Sequence, residues 1–351
     1  SGLMRGDLVF NGIRVWNPRV FLTRDSAGTD TFRQWLRGDE PPAEGGGGGV
    51  SLRLDGVRIL AGSFALRLPA EERHVGGRLR VEQGEDERRW RAIDLDDLDA
   101  QLARVEISPD IGIEVEIGLA SGTVDALERA FAIEGLRGGV RVLDGRVAVE
   151  VRSIQAPGID ASGTVDVDMG AEGGVETAIS ARVPDADLRP WNWLAEFLPP
   201  LTGSLSVDGG FGPEGQRWSM TDVDGRWSGG RVRGRGTVAV GDAVRFDDVD
   251  VVLDDLPVSA LADYLPEPPA ADGLLTGRVA LSGEAGALQL GGDLTLAVDS
   301  GGPVSTVFEG GLSTGGGGVG FDRFRATLDP IDYAVLGRFF PAVGLTGTGQ
   351  A

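Results

Sequence analysis

The sequence predicts a mainly β fold: an elongated, curved antiparallel β-sheet of tandem repeats with a few short helices. Three observations carry this. Apolar and polar residues alternate with period two along most of the 351 residues. Turn signals built from Gly, Asp-Gly and Gly-Gly interrupt the alternation at short intervals. One aromatic segment that ends in Pro and leads to Leu-Thr-Gly occurs three times: "LAEFLPPLTG" from Leu194, "LADYLP" from Leu261 reaching Leu275–Gly277, and "LGRFFP" from Leu336 reaching Leu345–Gly347.

The strands follow in chain order. "VSLRL" sets Val50, Leu52 and Leu54 against Ser51 and Arg53, and "FALRL" sets Phe64, Leu66 and Leu68 on one side. "IGIEVEIGL" places Ile111, Ile113, Val115, Ile117 and Leu119 on one face, with Glu114 and Glu116 on the other. The same alternation gives Val140 and Val142 in "GGVRV", then Val147, Val149 and Val151 in "RVAVEV", and Val165, Val167 and Met169 in "TVDVDM". Leu281 belongs to "GRVALSG", and Leu294, Leu296 and Val298 to "DLTLAVD". Between them "LDGR" (Leu143 to Arg146) and "VDGG" (Val207 to Gly210) read as turns, and the glycine tracts at 45–49 and 315–318 as flexible loops.

Helical signals are short. Asp30 caps a segment with Phe32, Trp35 and Leu36 at helical spacing, stopped by Gly38. "LRPWNWLAEFLP" puts Trp191, Leu194, Phe197 and Leu198 on one side before Pro199 ends it. Its counterparts are Leu261, Tyr264 and Leu265 before Pro266, and Leu336, Phe339 and Phe340 before Pro341. The spacings are 67 and 75 residues between the leucines at 194, 261 and 336, and 74 and 70 between the glycines at 203, 277 and 347. A period near 70 with one short helix and about five strands is a repeat architecture. "ALERAFAIEGLRGG" (Ala126 to Gly139) reads as a weaker fourth copy. The expected organisation is an N-terminal β-groove region over 1–110 with a helix near 30–37. Repeats then span 111–182, 183–254 (helix near 188–198) and 255–328 (helix near 257–265), and a further, truncated repeat starts over 329–351.

Composition removes several chemistries. The chain has no Cys, one His, no Lys and a net charge of −21. A Walker A lysine, a Schiff-base lysine, a thiolate metal site and a Cys nucleophile are therefore excluded. The single His74, in "EERHVGG", reads as an exposed loop residue. The acidic balance argues against nucleic acid. No apolar run of about 20 residues is present to span a bilayer as a helix, and "SGLMRGDLVFNG" has no signal-peptide core. The chain stops at "LTGTGQA", where a repeat should continue, so it reads as a piece of a longer protein.

The acidic runs carry no metal pattern. "IDLDDLDAQL", with Asp94, Asp96, Asp97 and Asp99, lacks the EF-hand and β-roll spacing and reads as a solvated strand face. "FDDVDVVLDD" reads the same way, with Phe246, Val249, Val251 and Leu253 inward and Asp248 and Asp250 outward. No carboxylate pair stands out for glycosidase work. "GGGGVG" opens no helix and gives no nucleotide site. "GGRVRGRG" (Arg231, Arg233, Arg235) has no aromatic ladder for RNA and reads as an outward strand face. The expectation is a protein with no catalytic, cofactor or metal residues.

A single sheet layer with one apolar face must cover that face with something, and short helices cover only part of it. An apolar trough of this kind suits acyl chains. The inward lining candidates are Leu52, Leu54, Leu66, Ile113, Val115, Ile117, Val147, Val149, Val165, Val167, Leu281, Leu294 and Leu296. Trp191, Phe197, Tyr264 and Phe339 are candidate aromatics at the groove edge. The alternative is an exported structural β-solenoid, a spacer or adhesin with a closed, dry core.

"LVFNGIRVWNPRVFLTRD", followed by a short helix, a Gly-rich loop and "VSLRLDGVRILAGSFALRL", resembles the AsmA-like superfamily (AsmA, TamB and YhdP type). "LADYLPEPPAADGLLTGRVALSGEAGALQLGGDLTL" resembles its recurring Leu-Pro, Leu-x-Gly and strand-pair text. The resemblance implies a repeating β-groove in a bridge-like lipid transfer protein, anchored in the inner membrane of a diderm bacterium and crossing the periplasm toward an outer-membrane partner. Phospholipid would be the ligand, moved without catalysis. The family's N-terminal membrane helix and C-terminal domain do not stand in this chain.

Overall fold

The computed structural model describes residues 7–23, 51–70, 80–84, 88–108, 111–143, 145–168, 176–191, 200–212, 215–241, 243–264, 272–298, 302–315, 318–332 and 348–349. They fall in two units, Ser1–Gly170 and Ala171–Ala351. The architecture is mainly β, an open and mostly antiparallel sheet with short helical turns, as the alternation predicts.

In the first unit, β1 (Asp7–Asn11), β2 (Arg14–Trp16) and β3 (Arg19–Thr23) lie end to end, parallel to β4 (Ser51–Pro69). β4 pairs on its other side with β6 (Arg89–Ser108), which also holds the short β5 (Val81–Gln83). Then β7 (Gly112–Asp125), β8 (Phe131–Leu143), β9 (Arg146–Ala156) and β10 (Ile159–Asp168) follow as antiparallel neighbours in chain order.

The second unit is a meander of β11 (Glu176–Asp187), β12 (Thr202–Gly212), β13 (Gly215–Trp227), β14 (Gly230–Val240), β15 (Val244–Pro257), β16 (Leu274–Glu284), β17 (Ala287–Ala297), β18 (Val304–Gly315) and β19 (Gly318–Asp329). A separate small pair, β20 (Ile331–Asp332) and β21 (Thr348–Gly349), follows. Among the described residues no pairing joins the first and last strands of either ladder, so neither closes into a barrel.

Bulges keep long strands in phase. Asp97, Asp222, Asp248 and Asp255 have φ of +50° to +53° and stand at register shifts. Each occupies the third place of an apolar-x-x-apolar run: Leu95 to Leu98, Met220 to Val223, Phe246 to Val249, and Leu253 to Leu256. One extra residue in left-handed conformation restores the apolar side chain to the same face after the bend. Asp tolerates that conformation better than most non-Gly residues because its short carboxylate bonds locally. Ala61 does the same job in β4, where its N–H donates to Asp99 Oδ1 at 2.9 Å.

Several expectations change here. Residues 51–54 and "FALRL" belong to one strand of 19 residues: the turn-like "LDGV" runs on in unbroken register with β6, with Gly56 at positive φ, and "LAGS" is a bulge that carries β4 onward. "VDGG" lies inside β12 and not in a turn. A Cβ at Gly209 would sit 2.8 Å from Trp218 Cε3, so this glycine lets a ring from the next strand lie across it. Residues 131–139 of the supposed fourth helical copy are strand β8. "LDGR" is the β8–β9 connection, as expected.

The 70-residue period corresponds to four strands and not five. The segments between β11 and β12 and between β15 and β16 each begin with a 3₁₀ turn, Arg189–Trp191 and Val258–Tyr264, and four strands separate them. Both are zipped by equivalent backbone bonds, Leu188 N–H to Leu201 O and Val258 N–H to Gly273 O, each 2.9 Å. The first two recurring segments thus fall in the β11–β12 and β15–β16 connections. The helix expected near 30–37, the 192–198 part of the second helix, Leu265 of the third, Val50, His74, Met169 and everything from 333 to 347 lie outside the described residues.

Candidate functional site

Strand register assembles the inward residues of the first unit into two rows. One runs through Leu8, Leu52, Ile107, Ile113, Val142, Val147 and Val167, one residue from each of seven neighbouring strands. The other runs through Phe10, Leu54, Val105, Val115, Val140, Val149 and Val165 on the same strands. β-branched residues dominate because they pack well on a pleated surface. Ile117 continues the face one step along, opposite Leu102 and Gly138, and Leu66 lies further along β4, paired with Ile93.

None of these residues is buried. The thirteen lining candidates are all half-buried, while Leu8 and Phe10 at the edge are 37% and 50% exposed. Neighbours in the row cover the flanks of each side chain, and its outer surface stays open. A packed second layer would drive such residues toward complete burial. Leu119, expected inward, is 36% exposed and pairs with Gln101 on the polar face. The register shift between Ile117 and Ala120 turns it over and sends Ala120, 5% exposed, inward instead.

The second unit builds its apolar face differently. Val223, Gly234, Val251, Val279, Gly292, Phe308 and Ala326 form one row across β13 to β19. Large side chains lean over glycines of the adjacent strand: a Cβ at Gly236 would lie 2.7 Å from Val249 Cγ2, and one at Gly292 3.1 Å from Phe308 Cζ. Leu281 stands between Val249 and Leu290, and Leu294 between Gly277 and Thr306.

The Leu residues and several Val residues that are buried in this unit cluster at the strand ends near the β11–β12, β15–β16 and β17–β18 connections. Leu201, Leu256, Val258, Val298 and Val304 are 0–8% exposed. Leu296 packs against Val298 and Val304, so it belongs to this packed end as much as to the open face. Trp191 closes the first 3₁₀ turn and is half-buried, its N–H bonded to Leu188 O at 3.0 Å. Tyr264 ends the second turn, with its side chain outside the described residues, as are Phe197 and Phe339 altogether.

The opposite face is ionic. In the first unit Arg141 pairs with Glu114 at 3.2 Å and Arg152 with Glu116 at 3.3 Å. Arg67 and Arg80 share Asp94 at 2.5 and 3.0 Å, and Arg80 also meets Asp125 at 2.5 Å. In the second, Arg231 grips Asp224 through two bonds of 2.8 and 2.6 Å, and Arg278 grips Asp250 in the same forked way. These hydrogen bonds hold the carboxyls of Asp224 and Asp250 below the usual carboxylate range, as Arg245 does for Asp247. Sequence reading missed the pairs because register, not local spacing, brings them together; Arg80 and Asp125 are 45 positions apart.

Chemically, this is a sheet with a wettable face and an open apolar one. Among the described residues no three His, Asp or Glu side chains gather as a metal site, and no helix is long and apolar enough to cross a membrane. No family model, curated protein or solved structure compared with the chain matches it.

Proposed function

We propose that the apolar faces of the two units hold acyl chains, making the chain a non-enzymatic, lipid-conducting segment of an AsmA-like envelope protein of the periplasm. The observation that carries this reading is the pair of apolar rows across seven strands of the first unit, continuous in register, exposed at the β1 edge and half-buried from β4 to β10. Water against such rows is costly, and acyl chains laid on them remove it. At about 0.8 kcal/mol per buried CH₂, shielding six methylenes contributes about 5 kcal/mol. Headgroups stay in water beyond the strand ends, and lipids advance by exchange along the face, with no chemical step. The shape of the half-buried rows favours this over a dry, self-packed solenoid, whose inward side chains would be buried.

A fluorescent acyl-chain probe tests it. The folded chain should take up the probe saturably and release it to phospholipid but not to glycerophosphocholine, which has the headgroup alone. A folded chain that takes up no probe contradicts the proposal.

A further inference from the structure

The ionic face of the first unit changes character at its edge. On β2 and β3, Arg14 and Arg19 point to the same face as Arg58 of β4, with Arg14 and Arg58 in matched register and Gln101 next in the row. Arg53, Arg67, Arg141 and Arg152 on this face all have carboxylate partners. Arg14, Arg19 and Arg58 have none among the described residues. Like charges directly opposite in a sheet are destabilising, and three arginines without a partner among the described residues are conspicuous in a chain of net charge −21.

Two further features share the edge. Trp16 and Leu60, matched in register, are 64% and 37% exposed, and Phe21 is 61% exposed. They alternate with the arginines along the strands. A depression at the same edge has Arg14, Arg58 and Gln101 in its lining, together with Gly12, Val57 and Leu102.

We infer that this edge is a docking surface for an anionic lipid bilayer. Charge complementarity calls for a negative partner, and the guanidinium fork matches phosphate oxygens. The exposed Trp and Phe decide between negative partners, because their amphipathic rings suit the boundary where headgroups meet acyl chains. A polyanion without an apolar layer offers those rings nothing. The repulsion of the acidic chain as a whole is screened beyond about 8 Å at physiological salt, so contact is confined to this edge. The surface lies opposite the apolar rows and does not depend on what those rows hold.

The experiment is flotation with vesicles of phosphatidylcholine alone and of phosphatidylcholine with 30% phosphatidylglycerol (about a third anionic lipid, to set the surface potential). The parent should bind only the anionic vesicles and release in high salt. Each arginine removed should lower partitioning about fivefold, so Arg14→Gln/Arg19→Gln/Arg58→Gln should lower it on the order of 100-fold. Trp16→Ala should weaken binding with all three arginines in place. Val115→Asp, on the opposite face, should bind as the parent does, which separates this surface from acyl-chain uptake. A parent that ignores anionic vesicles or holds them in high salt overturns the inference. So does a triple variant that binds like the parent, loss of binding in Val115→Asp, or equal retention on polyglutamate beads.

Discussion

Replacing Val115 with Asp separates an open apolar face from a filled core. Val115 sits in the middle of its row, between Val105 and Val140, and is half-buried. Full burial of a Val side chain is worth about 1.5–3 kcal/mol, so the half-buried position contributes about 1 kcal/mol to stability. The carboxylate that replaces it keeps water on the open side and needs no partner. The expected cost is therefore about 1–2 kcal/mol, or a fall in Tm of a few degrees for a unit of this size. Acyl-chain binding suffers more. A charge in the row displaces about three or four methylenes from contact, about 3 kcal/mol or roughly 100-fold in probe affinity at 0.8 kcal/mol each. The assay pairs a urea melt with a titration of the fluorescent acyl probe. Unfolding of Val115→Asp, or unchanged probe affinity in a folded Val115→Asp, would refute the reasoning.

Other residues give contrasting outcomes. Leu256 is fully buried at the packed strand end, so Leu256→Ala should destabilise by about 2–5 kcal/mol in a urea melt while leaving probe affinity in the first unit unchanged. Asp248 holds a left-handed bulge, so Asp248→Val should cost about 1–2 kcal/mol, whereas Asp248→Gly should cost little or nothing. The Arg278 bond depresses the Asp250 carboxyl, which sets the sign of its pH dependence. Its stabilisation is fully present above the unfolded Asp value of about 3.9 and is lost as pH falls through the lower folded value. Melts should therefore be flat from pH 8 to 5 and drop below about 4, and Asp250→Asn should soften that drop.

Much of the fold was legible because period-two alternation is a local signal. Ile113, Val115, Val147, Val149, Val165 and Val167 share one face as their spacing predicts, and the first two Pro-containing segments fall in the β11–β12 and β15–β16 connections. Bulges were harder. A shift from spacing two to spacing three, with Asp or Gly at the third place, resembles a turn or a solvated face, so β4 was read as two strands and Leu119 as inward. The same effect raised the expected strand count per repeat from four to five. The information was present: "LDDL", "FDDV" and "MTDV" share one pattern. The edge patch at Arg14, Trp16 and Arg58 was not legible, since only the parallel register of β2 on β4 brings residues 44 positions apart side by side.

The measurement that bears most directly on the open apolar face is mass spectrometry of an organic extract from the folded chain purified from a bacterial periplasm. The account predicts phospholipid retained by the parent and absent from the folded Val115→Asp variant. A parent that is folded, stable and empty would contradict it.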